Sequence, residues 1–139
     1  MAVFLKRGIH GSSYVPPVVT TFFFMDSEGH WAQYWIEDLR NESFTAGCTP
    51  TTYCPDNPIT RAQAAVFLLR LKHGSAYTPP PASGTVFTDV PADQWAAAWI
   101  EELANEGITS GCGGGNFCPE QVVTRAQIAV LLVRTLGLP

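Results

Sequence analysis

The sequence predicts an all-α fold of tandem helix–loop–helix repeats that pack into a helical bundle, with Pro-rich linkers between them. Three observations carry this expectation. Residues 31–70 align without gaps on 95–134, a shift of 64, and 21 of the 40 positions are identical. Apolar residues recur four apart ahead of each loop, as Trp31, Trp35 and Leu39 in one copy and Trp95, Trp99 and Leu103 in the other. Thr-x-x-Gln then stands directly before an apolar run, at Thr60 and at Thr124, which is the pattern of a reciprocal helix cap.

A partial copy opens the chain. Met1-Ala2-Val3-Phe4-Leu5-Lys6-Arg7, followed by His10-Gly11-Ser12, matches Ala64-Ala65-Val66-Phe67-Leu68-Leu69-Arg70 followed by His73-Gly74-Ser75. The expected divisions are therefore 1–22 for the second half of a preceding repeat with its linker, 23–76 for a full repeat, 77–86 for a Pro-rich linker, and 87–139 for a second repeat. An opening in mid-repeat points to an internally assigned start or to a piece of a longer protein, with Met1–Arg7 folding against a neighbouring chain or completed by missing residues. The stretches 14–21 and 77–85 read as extended surface linkers.

Each repeat is expected to hold two helices. The first should cover 31–42 and 94–106, with Trp35 and Trp99 in the core and Glu37, Asp38 and Glu42 on the wet side; Glu101 and Glu106 recur at the matching places. Gly107 suits the left-handed residue that ends such a helix, and Ser43 in its place is a less comfortable stop. The second helix starts at Thr60 and Thr124 and is almost wholly apolar, so it should be covered on most sides. Arg70, Lys72 and His73 sit where positive charge suits a helix C-terminus, before Gly74.

Composition narrows the function classes. The chain has 139 residues, 46% hydrophobic and 14% charged, with a net charge of −4, so it buries a core and lacks the basic footprint of a nucleic-acid or anionic-membrane binder. No apolar run approaches the length of a membrane helix.

Between the helices lies Gly-Cys-x5-Cys-Pro, at Gly47-Cys48…Cys54-Pro55 and Gly111-Cys112…Cys118-Pro119. The second loop contains Gly113-Gly114-Gly115-Asn116, which has almost nothing apolar to pack. Local disulfides, Cys48 with Cys54 and Cys112 with Cys118, would supply the constraint, worth about 2 kcal/mol for so short a ring. They are preferred to one zinc on four thiolates, whose cysteines usually stand two to four apart, and they imply an oxidising compartment.

Arg61 and Arg125 occupy the first position of a helix, where the dipole disfavours a cation. Two readings stay open on the residues alone. Either arginine and free backbone N–H groups form a small anion pocket, or the guanidinium ties the helix start to Asp26, Asp89 or a loop carbonyl. Trp31 and Trp95 could serve as sugar platforms, but a tryptophan on an amphipathic helix is more often core. His10, His30 and His73 lack metal-site spacing, Pro55-Asp56-Asn57-Pro58 is a turn rather than a calcium loop, and Asn41-Glu42-Ser43 matches a glycosylation sequon without further support. No nucleophile elbow, cofactor loop or metal cluster is evident, so neither catalysis nor a cofactor is expected.

The pattern resembles the S-layer homology (SLH) repeat. Its signature reads Phe87-x-Asp89-Val90, Trp95-Ala96, Ile100, Leu103, Gly107-Ile108, Gly111, Phe117-x-Pro119 and Val123-Thr124-Arg125-Ala126-Gln127. The other copy has Phe24-x-Asp26, His30-Trp31-Ala32, Ile36, Leu39, Gly47, Tyr53-x-Pro55 and Ile59-Thr60-Arg61-Ala62-Gln63. The resemblance implies a secreted, cell-surface module that holds proteins to the wall through polysaccharides, often carrying anionic pyruvyl ketals. Its repeats typically come in threes, with grooves between neighbours. It also implies glycan-binding roles for Arg61 and Arg125, for Asp26 and Asp89, for Trp31 and Trp95, and for Gly47 and Gly111, and it favours the anion-pocket reading. Three departures stand out: Gln63 and Gln127 replace the motif's glutamate, the loop cysteines mark a subgroup, and two full repeats plus a half leave the threefold arrangement incomplete. The function expected is non-covalent anchoring to an anionic cell-wall polysaccharide, with the chain itself or further SLH repeats as additional partners. The alternative is a self-assembling unit of a surface layer or filament without a glycan ligand.

Overall fold

The computed structural model describes residues 1–138; Pro139, where the second repeat is expected to end, lies outside the described residues. Five α-helices form among the described residues, α1 (Ala2–His10), α2 (Gln33–Asn41), α3 (Arg61–His73), α4 (Ala97–Asn105) and α5 (Arg125–Leu136). Among the described residues there is no strand beyond isolated bridges, so the fold is all-α as the repeat pattern predicts. The chain divides into two compact units, Met1–Asn57 and Pro58–Pro139. In the first, α1 packs on α2; in the second, α3 packs on α4 and α5.

The expected first helices are shorter than their periodicity suggests. Before α2, the His30 ring Nδ1 accepts the Ala32 N–H at 3.1 Å; before α4, the Gln94 side-chain oxygen accepts that of Ala96 at 2.6 Å. These local bonds offer the backbone an alternative to helix, so Trp31 and Trp95 stay outside it. At the far ends, Ser43 and Gly107 adopt φ of 63° and 70°. The Phe44 and Ile108 N–H groups reach back to the Leu39 and Leu103 carbonyls at 3.0 Å each, and both side chains are buried. The uncomfortable stop at Ser43 is real.

The second helices begin with complete capping boxes. Thr60 Oγ1 accepts the Gln63 N–H at 3.2 Å while the Gln63 side chain accepts that of Thr60 at 2.9 Å, and Thr124 with Gln127 repeats the arrangement. Helix α3 is covered on most sides, with Ala62, Ala64, Ala65, Leu68 and Leu69 all buried. The contact between a second helix and the following first helix recurs in both units. Arg7 lies over Trp35 and Arg70 over Trp99, at 5.2 and 5.4 Å. His10 bonds Glu42 at 3.0 Å and His73 bonds Glu106 at 2.6 Å. Tyr14 and Tyr77 stack on those histidines and reach Asp38 and Glu102, so the Pro-rich segments are docked rather than loose. Helix α1 thus packs on α2 of its own chain, where the sequence suggested a neighbouring molecule or missing residues. Trp35 and Trp99 are half-buried against these cations rather than in the core.

Of the acidic residues assigned to the wet side, Glu42 and Glu106 are half-buried and the others are inside. Glu37, Asp38 and Glu101 are buried. Glu37 accepts the Phe23 and Phe24 N–H groups at 3.0 Å each and the Ser27 hydroxyl at 2.9 Å. Glu101 accepts the Ser83 and Gly84 N–H groups at 2.7 Å each. Asp38 pairs at 2.8 Å with Lys6, itself wholly buried where α3 has Leu69. A carboxylate loses hydration on burial, and fixed N–H donors replace it.

Two outcomes follow. Ala in place of Gly107 puts a Cβ into open space but into left-handed backbone, so Gly107→Ala costs about 1 kcal/mol and Ser43→Gly gains a similar amount; denaturant midpoints measure both. For Glu101, burial alone would raise the carboxyl, but the Ser83 and Gly84 N–H groups and the Ser83 hydroxyl outweigh it and hold it below the ordinary value of 4.5. A depressed folded value gives stability that is present above 4.5 and lost as pH falls from there through the lower folded value. Acid unfolding followed by helicity steepens below that pH, and Glu101→Gln flattens that limb.

Candidate functional site

Both loops between helices are closed as expected, by disulfides Cys48–Cys54 and Cys112–Cys118. Within each, an aspartate from the preceding segment clamps the backbone. Asp89 accepts the Phe117 and Cys118 N–H groups, one on each oxygen, at 2.7 Å. Asp26 does the same for Tyr53 and Cys54 at 2.8 and 2.7 Å. Gly111, at φ 87°, lets the loop turn tightly, since a Cβ there would collide with the Asn116 carbonyl and the Phe87 ring. Gly47 has the same role against Phe24 and Thr52.

Arg61 enters this frame from α3. Its Nε donates to the Phe117 carbonyl at 2.8 Å, and its guanidinium carbon sits 4.8 Å from the Phe117 ring centre. The residue is 94% buried. Among the described residues no carboxylate comes within salt-bridge distance of it, and its two terminal nitrogens have no protein hydrogen-bond partner, though neither is sealed from solvent. Burial pulls the guanidinium below the ordinary arginine value, and the charge of Asp89 partly offsets this. It remains a cation at any physiological pH.

The sequence readings are sorted by this geometry. In the second unit Arg61 bonds the Phe117 carbonyl, Asp89 accepts the Phe117 N–H, and Gly111 lies against the neighbouring Asn116 carbonyl; Trp95 lies ahead of α4, 61% exposed. In the first unit Asp26 and Gly47 shape the equivalent loop, and Trp31 is 78% exposed beside the His30 ring. The core reading of Trp31 and Trp95 is therefore corrected, because both precede their helices. Arg125, on α5, is exposed.

The expectation of free backbone N–H groups beside the arginine also needs correction at α3. The Arg61 N–H donates to the Gln121 carbonyl at 2.8 Å and that of Ala62 to the Pro119 carbonyl at 2.9 Å, so side-chain N–H groups alone stay open there. Arg61 thus combines both alternatives: it binds a loop carbonyl and keeps its forked end unengaged. Sequence reasoning missed Phe117 and Glu101. Glu101 left a signal, since it equals Glu37 while the flanking positions 38 and 40 differ from 102 and 104. Identity at a nominally wet position is what an internal anchor produces.

With the geometry in place, the comparisons are direct. The SLH family model, S-layer homology domain, matches residues 86–129. The S-layer protein of Bacillus licheniformis is 31% identical over 110 residues, covering 79% of this chain and 12% of that protein. S-layer protein EA1 of Bacillus anthracis gives the same identity and coverage. An endoglucanase of Bacillus sp. (strain KSM-635) is 33% identical over 107 residues, 75% of this chain and 10% of the enzyme. The chain spans 10–12% of the length of these relatives. Residues 86–129 therefore carry an SLH domain, the surface-anchoring module of S-layer and cell-surface proteins. No described helix is long and apolar enough to cross a membrane.

The loop glycine supplies a check on the frame. Gly111→Ala adds a steric collision to left-handed strain, so it costs more than about 2 kcal/mol, clearly above Gly107→Ala, in the same denaturant titration.

Proposed function

We propose, with the SLH domain at 86–129 as the premise, that this chain anchors a protein or assembly to an anionic cell-wall polysaccharide of the pyruvylated type. One observation carries the reading: a cation that is 94% buried, with no carboxylate in salt-bridge range among the described residues, has two terminal nitrogens without a protein hydrogen-bond partner. Such a group matches the two oxygens of a carboxylate end-on, and an incoming anion would compensate a charge the fold leaves unpaired. Arg61 is the charge partner, Trp95 the stacking surface, and Asp89 and Gly111 shape the loop. Asp26, Trp31 and Gly47 form the same loop half of a site in the first unit. Arg125 offers the helix half on α5. Gln63 and Gln127 act as caps, leaving no carboxylate beside the arginine, and the cysteines define the subgroup to which this chain belongs.

Arg61→Ala lowers sedimentation with purified wall fragments by about tenfold or more, the factor carried by a charge-assisted hydrogen bond, with helicity intact. Fragments stripped of ketals by mild acid lose binding to the unaltered protein. Retention in either experiment overturns the anionic-glycan reading.

A second reading, assembly without a glycan, is favoured by α5. Ala126, Ala129, Val130 and Val133 are exposed, whereas Ala62, Ala65 and Leu69 at the matching places on α3 are fully buried. The occupant this face fits is the loop and first helix of another SLH repeat. Light scattering that grows with concentration and is suppressed by Val133→Asp supports it; a constant monomer signal removes it.

A further inference from the structure

Asp89 and the Cys112–Cys118 disulfide act on one point of backbone. Asp89 has an oxygen on each of two consecutive N–H groups, Phe117 and Cys118, and Cys118 is the residue the disulfide ties back to Cys112. Cys118 itself is in left-handed backbone, at φ 59°, a conformation a non-glycine residue holds only when its surroundings impose it. The peptide so fixed begins with the Phe117 carbonyl, and that carbonyl is the acceptor for Arg61 Nε. The other bonds of the loop fall short of that carbonyl: Cys112 N–H donates to the Asn116 carbonyl at 2.8 Å, Asn116 N–H to the Gly113 carbonyl at 3.0 Å and Thr88 N–H to the Gly115 carbonyl at 2.9 Å, in a stretch where Gly113, Gly114 and Gly115 all have positive φ.

We infer that Asp89 and the Cys112–Cys118 disulfide are positioning elements for Arg61, setting where its open fork points rather than touching the glycan. The inference rests on the anchoring reading for its consequence and on geometry alone for its mechanism. Removing the disulfide frees the Cys118 conformation, the Phe117 carbonyl loses its fixed place, and Arg61 Nε loses its acceptor. The guanidinium then samples several orientations, and the ordering that the loop had supplied falls on binding. Asp89→Asn acts by the same route, because an amide offers one acceptor oxygen where two N–H donors need two. The first unit supplies the control. Its Cys48–Cys54 disulfide and Asp26 clamp make the same loop, but the Tyr53 carbonyl accepts no arginine among the described residues.

The test compares the full chain with Cys112→Ser/Cys118→Ser, Cys48→Ser/Cys54→Ser and Asp89→Asn. Two measurements are made: sedimentation with purified wall fragments, and the hydrogen exchange of the Arg61 Nε–H followed by its nitrogen–proton resonance. Cys112→Ser/Cys118→Ser and Asp89→Asn speed Nε–H exchange and weaken sedimentation roughly tenfold, the worth of one charge-assisted hydrogen bond. Cys48→Ser/Cys54→Ser leaves the Nε–H signal in place, although its loss of stability should be similar. Equal effects of the two cysteine pairs on the signal, or an unchanged signal in Cys112→Ser/Cys118→Ser, overturns the inference. If the unaltered protein does not bind wall fragments, the anchoring reading fails while the exchange measurement still decides the positioning role.

Discussion

The first turn of a helix carries backbone N–H groups that its own carbonyls cannot reach, and in α3 the loop of the second repeat answers them. Gln121 and Pro119 carbonyls take the Arg61 and Ala62 N–H groups, Thr60 takes that of Gln63, and the Phe117 carbonyl takes the Arg61 side chain. This one seam ties the end of one repeat to the middle of the next, and it explains why the compact units do not coincide with the sequence repeats. The division falls after Asn57, between the loop of the first copy and its own second helix, because α3 finds its hydrogen-bond partners downstream.

Carboxylates do the corresponding work elsewhere. Asp26, Asp89, Glu37 and Glu101 each accept a pair of backbone N–H groups from irregular chain, so four segments without secondary structure are held by side chains rather than by ladders. Of the four, Glu37 and Glu101 are buried, where an ion is costly unless its lone pairs are used, and each takes a serine hydroxyl besides its two peptide donors. A chain with only 14% charged residues has thus placed several of its acids inside. That distribution runs against the habit of reading acids on an amphipathic helix as solvated.

The repeat, the helix count, the capping boxes, the local disulfides and the awkward stop at Ser43 were all legible in the sequence, because each rests on local chemistry that two copies state twice. What failed to show was anything set by the lead-in segments. The His30 and Gln94 side chains capture the N–H groups of Ala32 and Ala96, and this shortens both first helices and turns Trp31 and Trp95 outward. Periodicity cannot reveal it, since a tryptophan four residues before another fits a helix equally well. Likewise the free N–H groups expected at α3 were a sound inference for an isolated helix and wrong for one whose neighbour brings carbonyls. The placement of Arg61 was half legible: the residue type against the helix dipole marked it as unusual, but its acceptor, Phe117, lies 56 positions away.

The position of Arg61 is best understood as a conflict that the fold contains without resolving. The helix field repels a cation at its start, and burial removes the water that would screen it. One hydrogen bond to a neutral carbonyl and an aromatic face at 4.8 Å orient the group, yet neither carries the opposite charge. The nearest compensating carboxylate, Asp89, spends both oxygens on the loop backbone. An acid in place of Gln63 would have offered a countercharge one turn into the helix, and the glutamine supplies the cap without it. A structure optimised for stability alone would place a neutral residue here. The Phe117 carbonyl and ring hold one side of the guanidinium, so its orientation is set by the loop of the second repeat rather than by a countercharge.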